Sequence, residues 1–189
     1  MKTLIYGAGP IGQWLALQLH GAGADVSLLA RGSTLERLQR HGIVIVDGLT
    51  GERRSGHPKL VDDLGPDDRY DLVVVAMQRS SRLAVCPNLA NNPQLKNILF
   101  LGNDVEGFRR YLDELPAKRV LLGFPGVGGG WRGDELVIMD REDPTGPHGE
   151  IFFGELDGVL RERTLRIKNL FERAGIKTSI ERDMDGWLK

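Results

Sequence analysis

The sequence predicts an α/β domain whose strands form a doubly wound, mostly parallel sheet. Three observations carry that reading. Short apolar runs alternate with helical patterns from the first residues onward. Several runs are apolar at every position, as strands buried on both faces of a parallel sheet must be. The first run passes directly into Gly7-Ala8-Gly9-Pro10-Ile11-Gly12 before a helix begins.

The elements follow in order. Residues 2–6 (KTLIY) form the first strand, and Pro10 to Ala22 a helix with Ile11, Leu15, Leu19 and Ala22 on one face and Trp14 beside them. Residues 25–30 (DVSLLA) return to strand. Residues 33–41 form a helix that starts at Ser33, with Glu36 three residues on to complete a capping box. Residues 43–61 hold short runs broken by Gly and Pro, which predict a small antiparallel insertion. Apolar strands resume at 72–76 (LVVVA), 97–101 (NILFL) and 119–123 (RVLLG), with a helix around 106–115. Residues 135–140 and 149–153 suggest a hairpin on one edge of the sheet. A helix over 158–174 carries Ile167, Leu170, Phe171 and Ala174 on one stripe and stops at Gly175, a natural residue after a helix C-terminus. Residues 176–180 make the last strand, and Asp183 and Asp185 are suited to begin one more helix. The predicted division is a nucleotide-binding unit over 1–181 and the start of a further helix over 182–189.

Composition narrows the function classes. At 189 residues and 41% hydrophobic, the chain can bury one good core and is short for two. Its 25 basic and 26 acidic residues leave a formal charge of −1, with no basic block interleaved with aromatics, so neither nucleic acid nor an anionic membrane is an expected partner. Residues 1–20 lack the pattern of a secretion signal and no apolar stretch is long enough to span a bilayer, so a cytoplasmic location is expected. Cys86 is the only cysteine and reads as a small buried hydrophobe. His20, His41, His57 and His148 are scattered, so no metal site is expected.

The glycine turn is the sharpest local signal. Between a strand and a helix, Gly7 permits the tight turn, Gly9 lets a pyrophosphate approach the backbone without a Cβ in the way, and Gly12 lets the helix pack close to the sheet. Pro10 fits the first helical turn, where its missing N–H costs nothing. Ala8 and Ile11 complete the stretch, and all six residues are candidate cofactor-binding positions in a Rossmann-type fold. The end of the second strand selects the cofactor. An acid there would accept from the 2′-hydroxyl of NAD, whereas this chain reads Ala30-Arg31-Gly32-Ser33-Thr34, in which the Arg31 guanidinium suits the 2′-phosphate of NADP, with Ser33 as a second donor. NADP is the expected cofactor.

These residues, with Asn103 and the closing Trp187-Leu188-Lys189, resemble the ketopantoate reductase (2-dehydropantoate 2-reductase) family over essentially the whole chain, as its N-terminal NADP-binding domain. The resemblance implies NADPH-dependent reduction of a 2-oxo acid, ketopantoate to pantoate on the route to pantothenate. It implies a second, all-helical domain after the first, absent from these residues, so the chain reads as truncated at the domain boundary and inactive by itself. It also implies catalytic roles for Lys189 and Asn103. Hydride transfer leaves negative charge on the carbonyl oxygen, which an ammonium at Lys189 could neutralise and protonate. Asn103, after the strand 97–101, would hold substrate and nicotinamide ribose, though the family's Asn-Gly pair is Asn103-Asp104 in this chain. The resemblance further implies a lysine just after the strand 72–76. Met77, Gln78 and Arg79 stand there, so Met77 and Gln78 are taken as cofactor-facing positions and the identity of the 2-oxo acid is left open. The partners implied are a small 2-oxo acid and a second copy of the chain as a homodimer.

Two other readings compete. A non-catalytic module that senses nicotinamide nucleotides would share the fold and the glycine turn. A methyltransferase would also use such a turn, but would want an acid where Arg31 stands. The glycine run 126–130 reads as a flexible turn near the site, because no helix follows it. Asp134, Asp140, Glu142 and Asp143 read as a solvated rim.

Overall fold

A computed structural model describes residues 1–103, 108–140 and 147–187, apart from the side chains of residues 79, 185 and 187. The chain opens with β1 (Thr3–Tyr6), α1 (Pro10–Gly21), β2 (Val26–Leu29) and α2 (Gly32–His41). Three short strands follow, β3 (Ile43–Asp47), β4 (Arg53–Gly56) and β5 (Lys59–Val61). Next come β6 (Leu72–Val75), α3 (Arg79–Ala84), α4 (Cys86–Ala90), β7 (Ile98–Leu101) and α5 (Arg109–Leu112). The last part holds β8 (Val120–Gly126), β9 (Gly128–Arg132), β10 (Glu135–Met139), β11 (Glu150–Glu155), α6 (Glu162–Arg173), β12 (Lys177–Ile180) and α7 (Met184–Trp187).

Eight strands form the main sheet in the order β12-β11-β8-β7-β6-β1-β2-β5. Every pairing in it is parallel except that between β11 and β8. The order runs outward in both directions from β1, as in a doubly wound fold. Alternation along the strands sends side chains into a core on each face. Ile5, Leu72, Val74 and Leu99 point into one core with α1 and α6, and Leu4, Val73, Val75 and Phe100 into the other with α4 and α5. Ring contacts lock the helices to the sheet: Tyr111 of α5 stacks on Phe100 at 4.0 Å, and Phe171 of α6 meets Phe153 edge-on at 6.1 Å.

The structure departs from the sequence reading in several places. The insertion 43–61 contains one antiparallel pair, β3 with β4, but β5 returns to the main sheet parallel to β2. The expected edge hairpin of 135–140 with 149–153 does not form. β11 lies in the main sheet, while β10 pairs antiparallel with β9 and parallel with β3, giving a second sheet of order β4-β3-β10-β9. The glycine run is therefore strand and not turn. Gly129 packs tightly there, since a Cβ on it would lie 2.5 Å from Ile138 Cδ1, whereas Gly128 and Gly130 face open space. The hairpin signal was the Gly133-Asp134 pair between β9 and β10, with Gly133 at φ 59, which suits the mirror-image turns of two-residue hairpins.

Both sheets cover α1, so its buried surface is a wrap and not the narrow stripe expected: Gly12 through Leu19 are all buried, while Ala22 is exposed. Helix α2 begins at Gly32, one residue earlier than predicted, with Arg31 as its N-cap and no side-chain cap bond. Helix α6 is shorter than the predicted span but keeps its stripe, and Gly175 follows it at φ 76. Helices α3 and α4 had no counterpart in the sequence reading. Of the helix predicted around 106–115, α5 is the described part, and 104–107 lies outside the described residues. Helix α7 starts as predicted, the Asp183 carboxylate accepting the Gly186 N–H at 2.9 Å. Among the described residues no helix is long and apolar enough to cross a membrane.

Candidate functional site

The carboxyl edge of the main sheet collects the candidate residues. At the end of β1 the backbone turns through Gly7 at φ 117, a conformation that side-chain-bearing residues rarely adopt. Space is equally restrictive, because a Cβ there would lie 2.5 Å from Met77 Cγ and 2.8 Å from the Ala76 carbonyl oxygen. Gly12 is where α1 crosses over the turn: a Cβ placed on it would fall 1.8 Å from the Gly7 carbonyl oxygen. Gly9 differs from both. It is the N-cap of α1 with φ −74, and nothing lies within 4 Å of where its Cβ would be. The turn thus has an open side over Gly9 and a closed side beneath Gly7 and Gly12.

The start of α1 presents the chemistry an anion needs. Pro10 opens the helix, no acidic residue sits in its first turn, and the amides of Ile11 and Gly12 precede the first intrahelical bond, which runs from Gln13 N to Gly9 O at 2.9 Å. The fully buried Gln13 was not singled out by sequence. Its Nε2 donates to Ala8 O at 2.7 Å, bracing the turn, and its Oε1 accepts from Arg37 of α2 at 3.2 Å. Arg37 in turn lies over the Trp131 ring of β9 at 4.9 Å, so α2 and the second sheet are tied to the glycine turn.

Arg31 stands at the end of β2, next to β1. Its Nε donates to Asp62 O at 3.0 Å and one Nη to Asp63 Oδ1 at 2.8 Å. Both partners of that ion pair are more than half exposed, so the pair is worth ~0–1 kcal/mol. Helix α2 also lacks an acid in its first turn. On the other side of β1, Met77 packs beside Gly7, and the exposed Gln78 caps α3, its carbonyl accepting from Ser81 N and Arg82 N at 3.0 Å each. Asn103, exposed, follows β7 after Gly102, and its carbonyl accepts from Arg82 Nη2 at 2.8 Å. Lys189 lies outside the described residues, as does the side chain of Trp187.

Arg31, the glycine turn, Met77 with Gln78, and Asn103 therefore line up in that order along adjacent strand ends, β2-β1-β6-β7. Three interstrand spacings amount to about 14 Å. The row offers a cation at one end, a turn rich in backbone amides in the middle and an amide side chain at the other end.

One nearby group behaves otherwise than its sequence context suggested, and a second behaves as expected. Asp140 is no rim residue. Its side chain has no exposure; it accepts from Trp14 Nε1 and from Arg54 at 2.8 Å each and faces His148 Nδ1 at 3.2 Å, pinning α1 to the second sheet. A buried ion pair of this kind is invisible to composition, because its partners are 126, 86 and 8 residues away. Cys86 is buried as expected, and burial, with Glu114 adding to it, pushes its thiol up to about 11. It is chemically quiet, donating to Arg82 O at 3.3 Å. Among the described residues no group of three or more His, Cys, Asp or Glu converges as a metal site.

Residues 3–158 match the family model described as ketopantoate reductase PanE/ApbA. The chain is 26% identical over 195 residues to the 2-dehydropantoate 2-reductase of Pyrococcus horikoshii, covering 99% of this chain and 58% of that protein. It is 39% identical over 143 residues to the 2-dehydropantoate 2-reductase of Mesorhizobium japonicum, covering 74% of this chain and 39% of that one. The crystal structure of 2-dehydropantoate 2-reductase from Methylococcus capsulatus superimposes with a TM-score of 0.77 at 20% identity over 100% of this chain and 59% of that one, a likeness of fold. The chain spans about half the length of the curated relatives it matches.

Proposed function

The chain belongs to the ketopantoate reductase family, and from that premise we propose that it forms the dinucleotide-binding part of an NADPH-dependent 2-oxo-acid reductase, with ketopantoate the first substrate to test. Residues 1–181 act as the binding unit, and 182–189 begin the helix that joins it to a helical domain completing the substrate pocket. The observation that carries the reading is the order of groups along the carboxyl edge: Arg31, glycine turn, Met77 and Gln78, Asn103.

The residues present fit the cofactor. Space over Gly9 leaves room for a pyrophosphate against the amides of Ile11 and Gly12, where the helix dipole favours negative charge. Arg31 exchanges its exposed carboxylate partner for the 2′-phosphate, a doubly charged ligand that suits its planar fork better. Gly7 and Met77 form the floor beneath the middle of the ligand, and Asn103 hydrogen-bonds at the nicotinamide ribose. When bound, the reduced nicotinamide supplies the hydride that converts the 2-oxo carbon to a 2-hydroxy carbon. Lys189 neutralises the charge that develops on the carbonyl oxygen and delivers the proton, so that the products are the hydroxy acid and the oxidised cofactor.

Calorimetric titration with NADPH and NADH tests this. NADPH should bind more tightly, and Arg31→Ala should abolish most of the preference. Equal affinity for the two cofactors before mutation would refute the role given to Arg31. A second reading, a sensor of nicotinamide nucleotides without chemistry, draws support from the uncharged Gln78 at the end of β6. NADPH binding with no turnover of any 2-oxo acid by the longest form of the protein would favour it.

A further inference from the structure

We infer that Arg82 is a positioning residue for Asn103, a buried guanidinium that sets the turn after β7 and thereby the presentation of the Asn103 side chain. The inference rests on the proposed reading of Asn103 as a ligand at the nicotinamide end of the site.

Arg82 is 1% exposed, although it sits in the six-residue helix α3 close to the sheet edge. Its Nη1 donates to Leu101 O at 2.9 Å and its Nη2 to Asn103 O at 2.8 Å, so one rigid fork holds the carbonyls on either side of Gly102. Gly102 itself has φ 152, and a Cβ on it would fall inside the guanidinium group. Its N–H donates to Gly123 O at 2.9 Å, which fixes the turn from the β8 side. The chain after β7 is therefore clamped between a strand and a cation.

A space-filling role does not account for a charge in that place. Burying a guanidinium is costly unless its donors are met, and an apolar side chain would fill the volume without that cost. What arginine adds is two charge-assisted bonds in a fixed plane, each roughly twice as strong as a neutral one. Among the described residues these two go to the carbonyls flanking one glycine. The other end of the same residue is tied to the site as well, because Arg82 N donates to the carbonyl of Gln78 at 3.0 Å. Arg82 thus holds the strand ends of β6 and β7 in a common frame.

Three ligands and four variants test the inference on the full chain. NADPH reaches the Asn103 end of the row, whereas adenosine 2′,5′-bisphosphate occupies only the Arg31 end and the glycine turn. Arg82→Met and Asn103→Ala should each weaken NADPH by about tenfold, the equivalent of one lost hydrogen bond, with the bisphosphate held within about twofold. The double variant should be no weaker than either single one, and Arg82→Lys, which supplies charge without the fork, should fall between wild type and Arg82→Met. Inorganic pyrophosphate serves as a control for the glycine turn and should be unaffected throughout. Equal losses for NADPH and the bisphosphate, or additive losses in the double variant, would overturn the inference in favour of a general structural role. Amide hydrogen exchange decides the matter separately from cofactor binding: Arg82→Met, or Arg82→Lys if the former fails to fold, should accelerate exchange at Gly102 and Asn103 while sparing β1. Unchanged exchange there would sink the positioning role, whereas wild-type protein that ignored both nucleotides would sink the functional reading instead.

Discussion

Replacing Gly12 with alanine adds one methyl group at the point where α1 passes over the glycine turn. The new Cβ would lie 1.8 Å from the Gly7 carbonyl oxygen and 3.0 Å from its carbon, against ~3.5 Å for ordinary contact. The obstacle is backbone, so it cannot rotate away as a side chain would. Turn and helix must move apart by roughly 1–2 Å, which strains the Gln13 bonds to Ala8 O at 2.7 Å and to Gly9 O at 2.9 Å. Overpacking of this severity costs up to ~3 kcal/mol, and the better helix propensity of alanine returns about 1. A net loss of about 2 kcal/mol lowers the melting temperature of a chain of this size by about 4–8 °C. Gly9→Ala is the matched comparison. Its Cβ meets nothing within 4 Å and its φ of −74 suits any residue, so stability should hold to within ~0.5 kcal/mol. The methyl group would nevertheless stand where the pyrophosphate must approach. Thermal melts combined with NADPH titration separate the two: Gly12→Ala should lose stability and affinity together, and Gly9→Ala should lose affinity alone, by about tenfold or more. An unchanged melt for Gly12→Ala would contradict the packing argument. Undiminished binding by Gly9→Ala would remove the turn as the cradle.

Other outcomes can be stated more briefly. Asp140→Ala leaves the Trp14 N–H and the Arg54 guanidinium without their acceptor in a buried place, and urea denaturation should report a loss of ~3–5 kcal/mol together with altered Trp14 fluorescence. Glu150 bears on acid stability. Burial alone would raise its pKa, but hydrogen bonds from Lys177 at 2.8 Å and Ser179 at 2.6 Å hold the carboxyl below the usual value. A depressed folded pKa stabilises the protein above the unfolded carboxylate value of about 4.3 and is lost as pH falls through the folded value. Glu150→Gln should therefore flatten the acid limb of the stability profile and leave neutral pH less stable than wild type; an unchanged acid limb would contradict the assignment. Cys86, buried and with its thiol pushed up to about 11, should resist iodoacetamide at pH 8 until the chain unfolds in urea; mass spectrometry showing rapid native alkylation would refute its burial.

Much of the site could be read directly from the chain, because the signals were local. The strands at 72–76 and 97–101 are apolar at nearly every position, and the structure buries Leu72, Val73, Val74 and Val75 completely. Gly7 and Gly12 are each required by something a few residues away or one strand across, whereas nothing within 4 Å constrains Gly9. Arg31 follows the second strand by simple counting. The second sheet was a different matter. Its strands β3 and β10 are separated by almost ninety residues, and a run of glycines with low strand propensity hid β9.

Local sequence alone determined the α/β class, the positions of the parallel strands, the glycine turn and the arginine beside it, since each depends on backbone geometry and hydrophobic period within a few residues. Tertiary structure alone decided which polar side chains work in the interior. Gln13 bracing Ala8, Asp140 holding Trp14 and Arg54, and Arg82 clamping Leu101 and Asn103 are ordinary surface residue types until distant segments supply their partners. The physical reason is that a buried polar group is defined by what it is bonded to, and those bonds cross 5 to 126 residues of chain.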